Sequence, residues 1–377
     1  MHILLEGVIT REIRLLLQHC FSQRYFTLVT LNQQMKYVDL GYNEGKDRPT
    51  QITRDAIDRD DKLGQRAAQS WCLAVNLPIF IAEWVPADDE HYYSFLPLLV
   101  ILAICVATTV TTDDACLLAT MIEDHHHRFC QLYPGKTITP KMYYMVHLPS
   151  QLLSFGPLQT MWCMRFEAKN GHFKRLVKEN FKNIPYSLAK QAQLYMCHHL
   201  LSSPDGSLSY LAVEDLIHSG TTIDFANHPL AEQLSRYLGS RNQTPLWVLS
   251  AKGLTRRSVI YKKGSVVKIP ALNQDIDFTF TTVDLIIVAE NEKYFVVRCL
   301  EICSFSDHFY LYEVQPSAKT TLVSCNSLIE NESFCIRKVG DMLLVTELLF
   351  FITYLDFRYV AYFLNCMTGV NNTSCVT

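Results

Sequence analysis

The sequence has no Cys-x-x-Cys pair, no Gly-x-Ser-x-Gly segment and no glycine-rich phosphate loop with a Walker lysine. These absences argue against a paired-cysteine zinc ribbon, a serine-hydrolase elbow and P-loop nucleotide binding. The 13 cysteines are odd in number and widely spaced, which does not suit the compact disulfide framework of a small secreted domain. This pattern predicts free, buried thiols in a reducing compartment.

The sequence also lacks a secretory leader and a clear membrane span. No charged segment followed by an apolar core and a cleavage site opens the chain. Residues 95–107 are apolar but too short to cross about 30 Å of hydrocarbon, so they predict a buried helix. Residues 342–367 contain Glu347, Asp356 and Arg358, each of which costs roughly 3 kcal/mol at a bilayer centre. A nuclear or cytoplasmic chain is favoured, and a membrane anchor over residues 341–367 is the alternative.

Two hydrophobic periods divide the chain. Apolar residues recur at helical spacing as far as residue 202, and from residue 258 the period changes to two. Helices are predicted at residues 4–21, 28–38, 62–84, 91–107, 113–132, 140–153, 160–181 and 185–201. Five short alternating runs with compact turns predict a small antiparallel β-barrel. The predicted class is α+β, with a helical region at 1–202, a helical connector at 203–257, the barrel at 258–338 and an apolar tail at 339–377.

Positive charge is concentrated in one segment, although the whole chain has a net charge of −3. Residues 165–190 contain seven Lys or Arg residues and two Glu residues. One of these carboxylates, Glu167, precedes most of the bases on a predicted amphipathic helix. That helix would let Glu167 approach a metal ion while neighbouring bases contact phosphates. The bases are Lys169, Lys174, Arg175, Lys178 and Lys182. A solvated cationic helix face would give the same pattern.

Two other groups of potential metal ligands are weaker. Residues 123–127 read Glu-Asp-His-His-His, but consecutive histidines on a helix point about 100° apart and cannot all reach one ion. A polar helix end is therefore predicted there. Cys299 and Cys303 form no recognisable zinc set.

Several short segments resemble one transposase family when their order is considered. Residues 140–149 begin with Pro-Lys and end with Val-His-Leu-Pro, residues 155–158 read Phe-Gly-Pro-Leu, and Trp162 follows. Arg-Phe-Glu stands at 165–167, Phe-Lys at 173–174 and Asn-Phe-Lys-Asn at 180–183. Together these segments resemble the final catalytic block of CACTA-like transposases. That family also has an Asp-x-Met-His-x-x-x-x-Gly segment. The opening Met-His-Ile-Leu-Leu-Glu-Gly of this sequence is similar to it from the Met onward.

The resemblance implies a ribonuclease H-like core with an Asp-Asp-Glu triad, interrupted by a large helical insertion before the last Glu. Glu167 would be the triad glutamate and a metal ligand, and His2 would be the supporting histidine. Residues 20–140 would be the insertion, and a β-barrel as in animal relatives would follow the block. The family further implies DNA as the partner, Mg²⁺ or Mn²⁺ as the cofactor, and a nuclear location.

The two aspartates of the triad have no match in this sequence. In the family both lie upstream of the Asp-x-x-His element, whereas the candidate aspartates of this chain lie downstream of it: Asp39, Asp55, Asp58, Asp60 and Asp61. A two-metal site needs several converging carboxylates. We therefore expect a truncated, catalytically inactive chain that lacks the core strands and does not hold Mg²⁺ or Mn²⁺.

The sequence thus predicts a transposase-derived fragment that binds nucleic acid without cleaving it. Three alternatives stay open. An active nuclease would need an upstream segment with two aspartates, and a non-enzymatic scaffold would bind a protein partner through the β-barrel. A membrane-anchored protein would use residues 341–367. No segment indicates a small-molecule substrate.

Overall fold

The computed structural model describes residues 2–40, 45–59, 63–107, 109–161, 183–201, 215–238, 246–256, 259–271, 278–290, 292–329 and 333–345. They form a mixed helix and sheet fold with two compact units. The first unit consists of the described residues among 2–38 and 47–161 and is helical. The second consists of those among 39–46 and 183–345 and contains the sheet.

The helices of the first unit begin where the sequence supplies a cap. A π-helical turn, Leu4–Val8, leads into the first helix. The helices are α1 (Ile9–Ser22), α2 (Leu28–Tyr37), α3 (Arg54–Asp58), α4 (Ala67–Ile81), α5 (Glu90–Val106), α6 (Thr112–Leu132), α7 (Pro140–Met145) and α8 (Leu148–Phe155). Short 3₁₀ turns lie at Gly45–Asp47 and Leu158–Met161. Five helices begin directly after a cap residue whose side-chain oxygen accepts a hydrogen bond from the backbone N–H three residues later. These cap residues are Thr27, Thr53, Asp89, Thr111 and Thr139.

Helix α5 lies at the centre of the first unit. It is apolar on all sides, and Tyr92, Leu99 and Ile101 on it have no exposed surface. A helix without a polar face must be covered by its neighbours, and α5 contacts both α1 and α6. The buried helix predicted at residues 95–107 is confirmed. Within the described residues, no helix has the length and apolar character needed to cross a membrane.

The second unit contains a nine-stranded antiparallel sheet. Its strands are β1 (Leu216–Asp224), β2 (Trp247–Arg256), β3 (Val259–Lys262), β4 (Val266–Pro270), β5 (Phe278–Ala289), β6 (Glu292–Ser306), β7 (Leu311–Ser324), β8 (Ile336–Val339) and β9 (Met342–Val345). The main order is β1-β2-β5-β6-β7-β9-β8, with β3 paired to β2 and β4 paired to β5. Helix α9 (Ile184–Leu201) and helix α10 (Ala231–Tyr237) also belong to this unit.

The sheet is curled into a half-barrel whose two faces are both partly covered. Register shifts in β5 and β6 bend the strands, as β-bulges do. On β6, Phe295 and Val297 pack on one face with Tyr261, while Tyr294 and Val296 pack on the other. Leu234 of α10 joins the cluster on this second face. Alternating side chains of one strand therefore contribute to two apolar clusters.

Most of the predicted elements are confirmed. Most described helices lie within the predicted helical ranges, but α3 lies in none of them, and residues 140–153 form the two helices α7 and α8. The predicted helix at 160–181 falls almost entirely outside the described residues. Strands β3 to β7 lie where the five alternating runs were predicted. The compact turn between β3 and β4 contains Gly264 at φ 89°. The ribonuclease H-like relationship stays a prediction.

Three predictions about the second half of the chain need correction. The interval 203–257 is not a helical connector, because it contains β1 and β2 as well as the short helix α10. The predicted small barrel is a larger half-barrel sheet of nine strands. The start of the predicted tail, 339–377, belongs to the sheet through β9, and residues 346–377 lie outside the described residues.

No disulfide bond joins any two of the ten described cysteines, which agrees with the prediction that they are thiols. Five of them are buried, Cys335 is half-buried, and the other four are exposed: Cys116, Cys130, Cys197 and Cys303. The prediction of burial is therefore wrong for these four. Burial raises the pKa of Cys105 to about 12, so its thiol stays protonated and unreactive at neutral pH.

Candidate functional site

The opening segment packs directly against the segment that starts at Pro140. Lys141 Nζ donates a hydrogen bond to the carbonyl oxygen of Glu6 at 2.8 Å, although the two residues are 135 positions apart. Arg11 Nη2 donates to the carbonyl of Thr137 at 2.9 Å. The Lys141 side chain lies directly against Gly7, so that a Cβ at that position would require the lysine side chain to move. The opening segment and the segment that starts at Pro140 are therefore neighbours in space.

The sequence-predicted site residues are divided between described and undescribed parts of the chain. His2 is described, and its Nδ1 lies 2.6 Å from Oε2 of Glu6 at the protein surface. The others lie outside the described residues: Glu167, Lys169, Lys174, Arg175, Lys178 and Lys182. The predicted approach of Glu167 to a metal ion therefore stays a prediction.

A second candidate site lies where the end of α1 meets the start of α5. It consists of His19, in the last turn of α1, together with Asp89 and His91. One possible ligand atom from each of the three residues lies within 4.8 Å of the other two. Asp89 is buried and the two histidines are partly exposed, so the cluster is set into the first unit with one side towards solvent.

Asp89 is the central group of this cluster. Its Oδ1 accepts a hydrogen bond from the Tyr92 backbone at 2.8 Å and thereby caps α5. Its Oδ2 accepts hydrogen bonds from His19 Nε2 at 2.7 Å and from the Tyr25 hydroxyl at 3.0 Å. Burial acts to raise the pKa of Asp89, but these hydrogen bonds together bring it below its ordinary value. The carboxylate is therefore negatively charged at neutral pH.

The imidazole of His91 has three contacts, one of which is an edge-on contact with the Tyr133 ring at 5.2 Å between centroids. It stacks on the ring of His19, with centroids 3.8 Å apart and planes 13° apart, and it is hydrogen-bonded to the carbonyl of Leu132. Burial and the proximity of His19 lower the pKa of His91. A neutral imidazole has one nitrogen with a free lone pair, which is the form that binds metals.

A solvent-accessible cleft of about 550 Å³ opens next to this cluster. Tyr25 is shared by both features, because it lines the cleft and donates its hydroxyl to Asp89. Two arginines, Arg24 and Arg54, and the ring of Trp84 also line the cleft. The Tyr25 side chain therefore connects the cluster with a cleft that water and small ions can enter.

The histidine run on α6 is arranged differently from the prediction. Residues 123–127 are not a polar helix end, because His125 is buried with 3% exposure while His127 is exposed. His125 Nε2 lies 3.5 Å from Oε1 of the buried Glu12 on α1. Consecutive residues of a helix point in different directions, so the three imidazoles do not converge. His125 contributes to the packing of α6 against α1 through its contact with Glu12.

The sequence pattern did not identify His19, Asp89 and His91. One local signal was present, because Asp89-Glu90-His91 stands immediately before the apolar run of α5 and the aspartate is a good helix cap. The third member, His19, is 70 positions from Asp89 and reaches it only through the packing of α1 against α5.

No known protein family, curated protein or solved structure matches this chain. Its function is therefore inferred from its own residues and their contacts.

Proposed function

We propose that this chain derives from a CACTA-like transposase and binds DNA without cutting it. The supporting observation is the contact between the opening segment and residues 137–142. In CACTA-like transposases the corresponding segments flank a helical insertion. The two ends of an insertion within a compact core must lie close together. The described part of residues 20–140 is helical, which agrees with such an insertion.

Gly7 provides a more specific argument for the same relationship. It matches the glycine of the family's Asp-x-Met-His-x-x-x-x-Gly segment, and Lys141 packs on it. A larger residue at that position would displace the lysine or the backbone. Gly7 therefore lies at the junction of the opening segment and the segment that starts at Pro140, which supports the proposed match.

The proposed DNA contacts are made by the bases that follow Glu167. Lys and Arg bind phosphates through charge, independently of base sequence. The proposed contacts are Lys169, Lys174, Arg175, Lys178 and Lys182. Seven bases against two acids in residues 165–190 provide the local positive charge that the chain as a whole lacks.

Metal-dependent cleavage is not part of the proposal. Mg²⁺ and Mn²⁺ prefer several oxygen ligands, and these 377 residues match the triad only at Glu167. Asp55 and Asp58 on α3 are paired with Arg59 and Arg54 at the surface. Among the described residues, the single cluster of three possible ligands contains two imidazoles, which do not suit Mg²⁺.

Replacing the five bases with Ala tests the proposal. We expect the variant to bind a fluorescent DNA duplex about 100-fold more weakly than the wild type at low salt, measured by anisotropy, because five phosphate contacts are lost. The matched control replaces five exposed lysines elsewhere and changes the net charge equally: Lys36, Lys252, Lys263, Lys319 and Lys338.

The control variant and Glu167→Gln should both retain most of the affinity. An equal loss in both five-residue variants would mean that only net charge matters. Undiminished DNA binding by the five-base variant would contradict the proposal that these five residues contact DNA. A protein that binds no DNA at low salt would instead favour a scaffold role for the sheet.

A further inference from the structure

We propose that His19, Asp89 and His91 bind one divalent transition-metal ion, with Zn²⁺ the ion to test first. The three potential ligand atoms lie within 4.8 Å of one another. This inference does not depend on DNA binding, because the cluster lies in the described helical unit and shares no residue with the proposed DNA surface.

The donor set selects the class of metal. Two imidazoles and one carboxylate are the ligands of many catalytic zinc sites and of non-haem iron sites. Imidazole is a poor ligand for Mg²⁺ and Ca²⁺, which prefer oxygen. A three-ligand site leaves at least one position for water, and the partly exposed histidines give that water access.

Groups around the cluster already orient two of its ligands. The Tyr92 backbone holds one oxygen of Asp89, the Tyr25 hydroxyl contacts the other, and the Leu132 carbonyl is bonded to the His91 ring. In metal sites the second nitrogen of a ligating histidine is regularly bonded to a carbonyl or carboxylate, and ligating carboxylates are themselves hydrogen-bonded. The Leu132 contact on His91 fits this arrangement.

Metal binding requires a small rearrangement of the cluster. The His19 Nε2 to Asp89 Oδ2 distance is 2.7 Å, which is a hydrogen bond, whereas two donors on one tetrahedral Zn²⁺ are about 3.4 Å apart. The ion therefore takes the place of the proton between these atoms: the proton on His19 Nε2 leaves to solvent and the one remaining ring proton is carried on Nδ1, so that a neutral imidazole binds the ion through Nε2. The stacked rings must also rotate so that a lone pair of each points to the ion.

The position of the site gives the ion a structural effect. It would join the last turn of α1 to the first turn of α5, two helices that are far apart in sequence. A ligand that binds the folded state and not the unfolded one raises the free energy of unfolding. Bound Zn²⁺ should therefore raise the melting temperature of the full chain.

Calorimetry and spectroscopy on the full-length, metal-free chain test this inference. We expect one equivalent of Zn²⁺ to bind, Co²⁺ to give visible absorption bands, and the melting temperature to rise with Zn²⁺. His91→Ala should weaken Zn²⁺ binding at least about tenfold, because one of three ligands is lost. Asp89→Asn should weaken it similarly. The control is His127→Ala, which removes an exposed imidazole outside the cluster and should leave binding unchanged.

Three results would overturn the inference: a wild type that binds no Zn²⁺, a His91→Ala variant with undiminished affinity, or an equal loss in the His127→Ala control. Asp89 also caps α5, so Asp89→Asn can destabilise the fold. His91 is partly exposed and is not the cap residue of α5, although its ring is bonded to the Leu132 carbonyl at the end of α6. Circular dichroism and thermal melting of the metal-free His91→Ala variant, compared with the wild type, separate lost metal affinity from lost folding. The His91→Ala result then decides the matter by itself.

Discussion

Raising the salt concentration from about 50 to about 200 mM is expected to weaken DNA binding by the wild-type chain about 500-fold. Five phosphate contacts release counterions and give a slope of about −4.5 in a plot of log affinity against log salt. A fourfold rise in salt at that slope produces the stated loss. Anisotropy titrations with one duplex at four salt concentrations measure the slope.

The variant without the five bases is the control for this slope. Its affinity should depend on salt much less, because the contacts that release counterions are gone. The slope should not depend on duplex sequence, since phosphate contacts carry no base information. Identical slopes for the wild type and the variant would contradict the assignment of these five bases.

Replacing Phe295 with Ala is expected to lower the free energy of unfolding of the sheet unit by about 3–5 kcal/mol. Phe295 lies on β6, has no exposed surface, and its ring is 5.3 Å from that of the buried Tyr261. Truncation removes buried apolar area and leaves a cavity that neighbouring strands cannot close. Chemical denaturation followed by circular dichroism measures the change.

Phe155→Ala is the matched control, because the same side chain is removed from a position that is 60% exposed. It should change the free energy of unfolding by less than about 0.5 kcal/mol. A loss below about 1 kcal/mol in Phe295→Ala would mean that this face of the half-barrel is not closely packed.

Elements with a strong hydrophobic period could be predicted from the sequence. Helix α5 is recognisable because its apolar run is uninterrupted by charge. Strand β4 is recognisable because most of its residues are β-branched, and β6 because Tyr-Phe-Val-Val stands at 294–297. Neither case depends on distant contacts. Local pattern and final structure therefore agree.

The first two strands were not predicted, because the period of two was recognised only from residue 258 onward. β1 lies at an end of the described strand order, is largely exposed, and contains Gly220 at its centre. A Cβ on Gly220 would lie 2.3 Å from the Ser250 carbonyl oxygen, so the glycine allows β1 to approach β2 closely. Pairing with β2, and not intrinsic preference, stabilises β1 as a strand.

The candidate metal cluster depended on tertiary structure in a similar way. The cap at Asp89 is local, but the approach of His19 follows from the packing of α1 against α5. The contact of Gly7 with Lys141 also joins distant segments.

Residue-level footprinting tests the DNA-binding proposal most directly. Lysines are acetylated with and without a saturating DNA duplex, and mass spectrometry gives the reactivity of each one. We predict that DNA protects Lys169, Lys174, Lys178 and Lys182 and leaves the exposed Lys36, Lys252 and Lys263 unchanged. Unchanged reactivity of the first four, in a sample that anisotropy shows to be bound to DNA, would contradict the account.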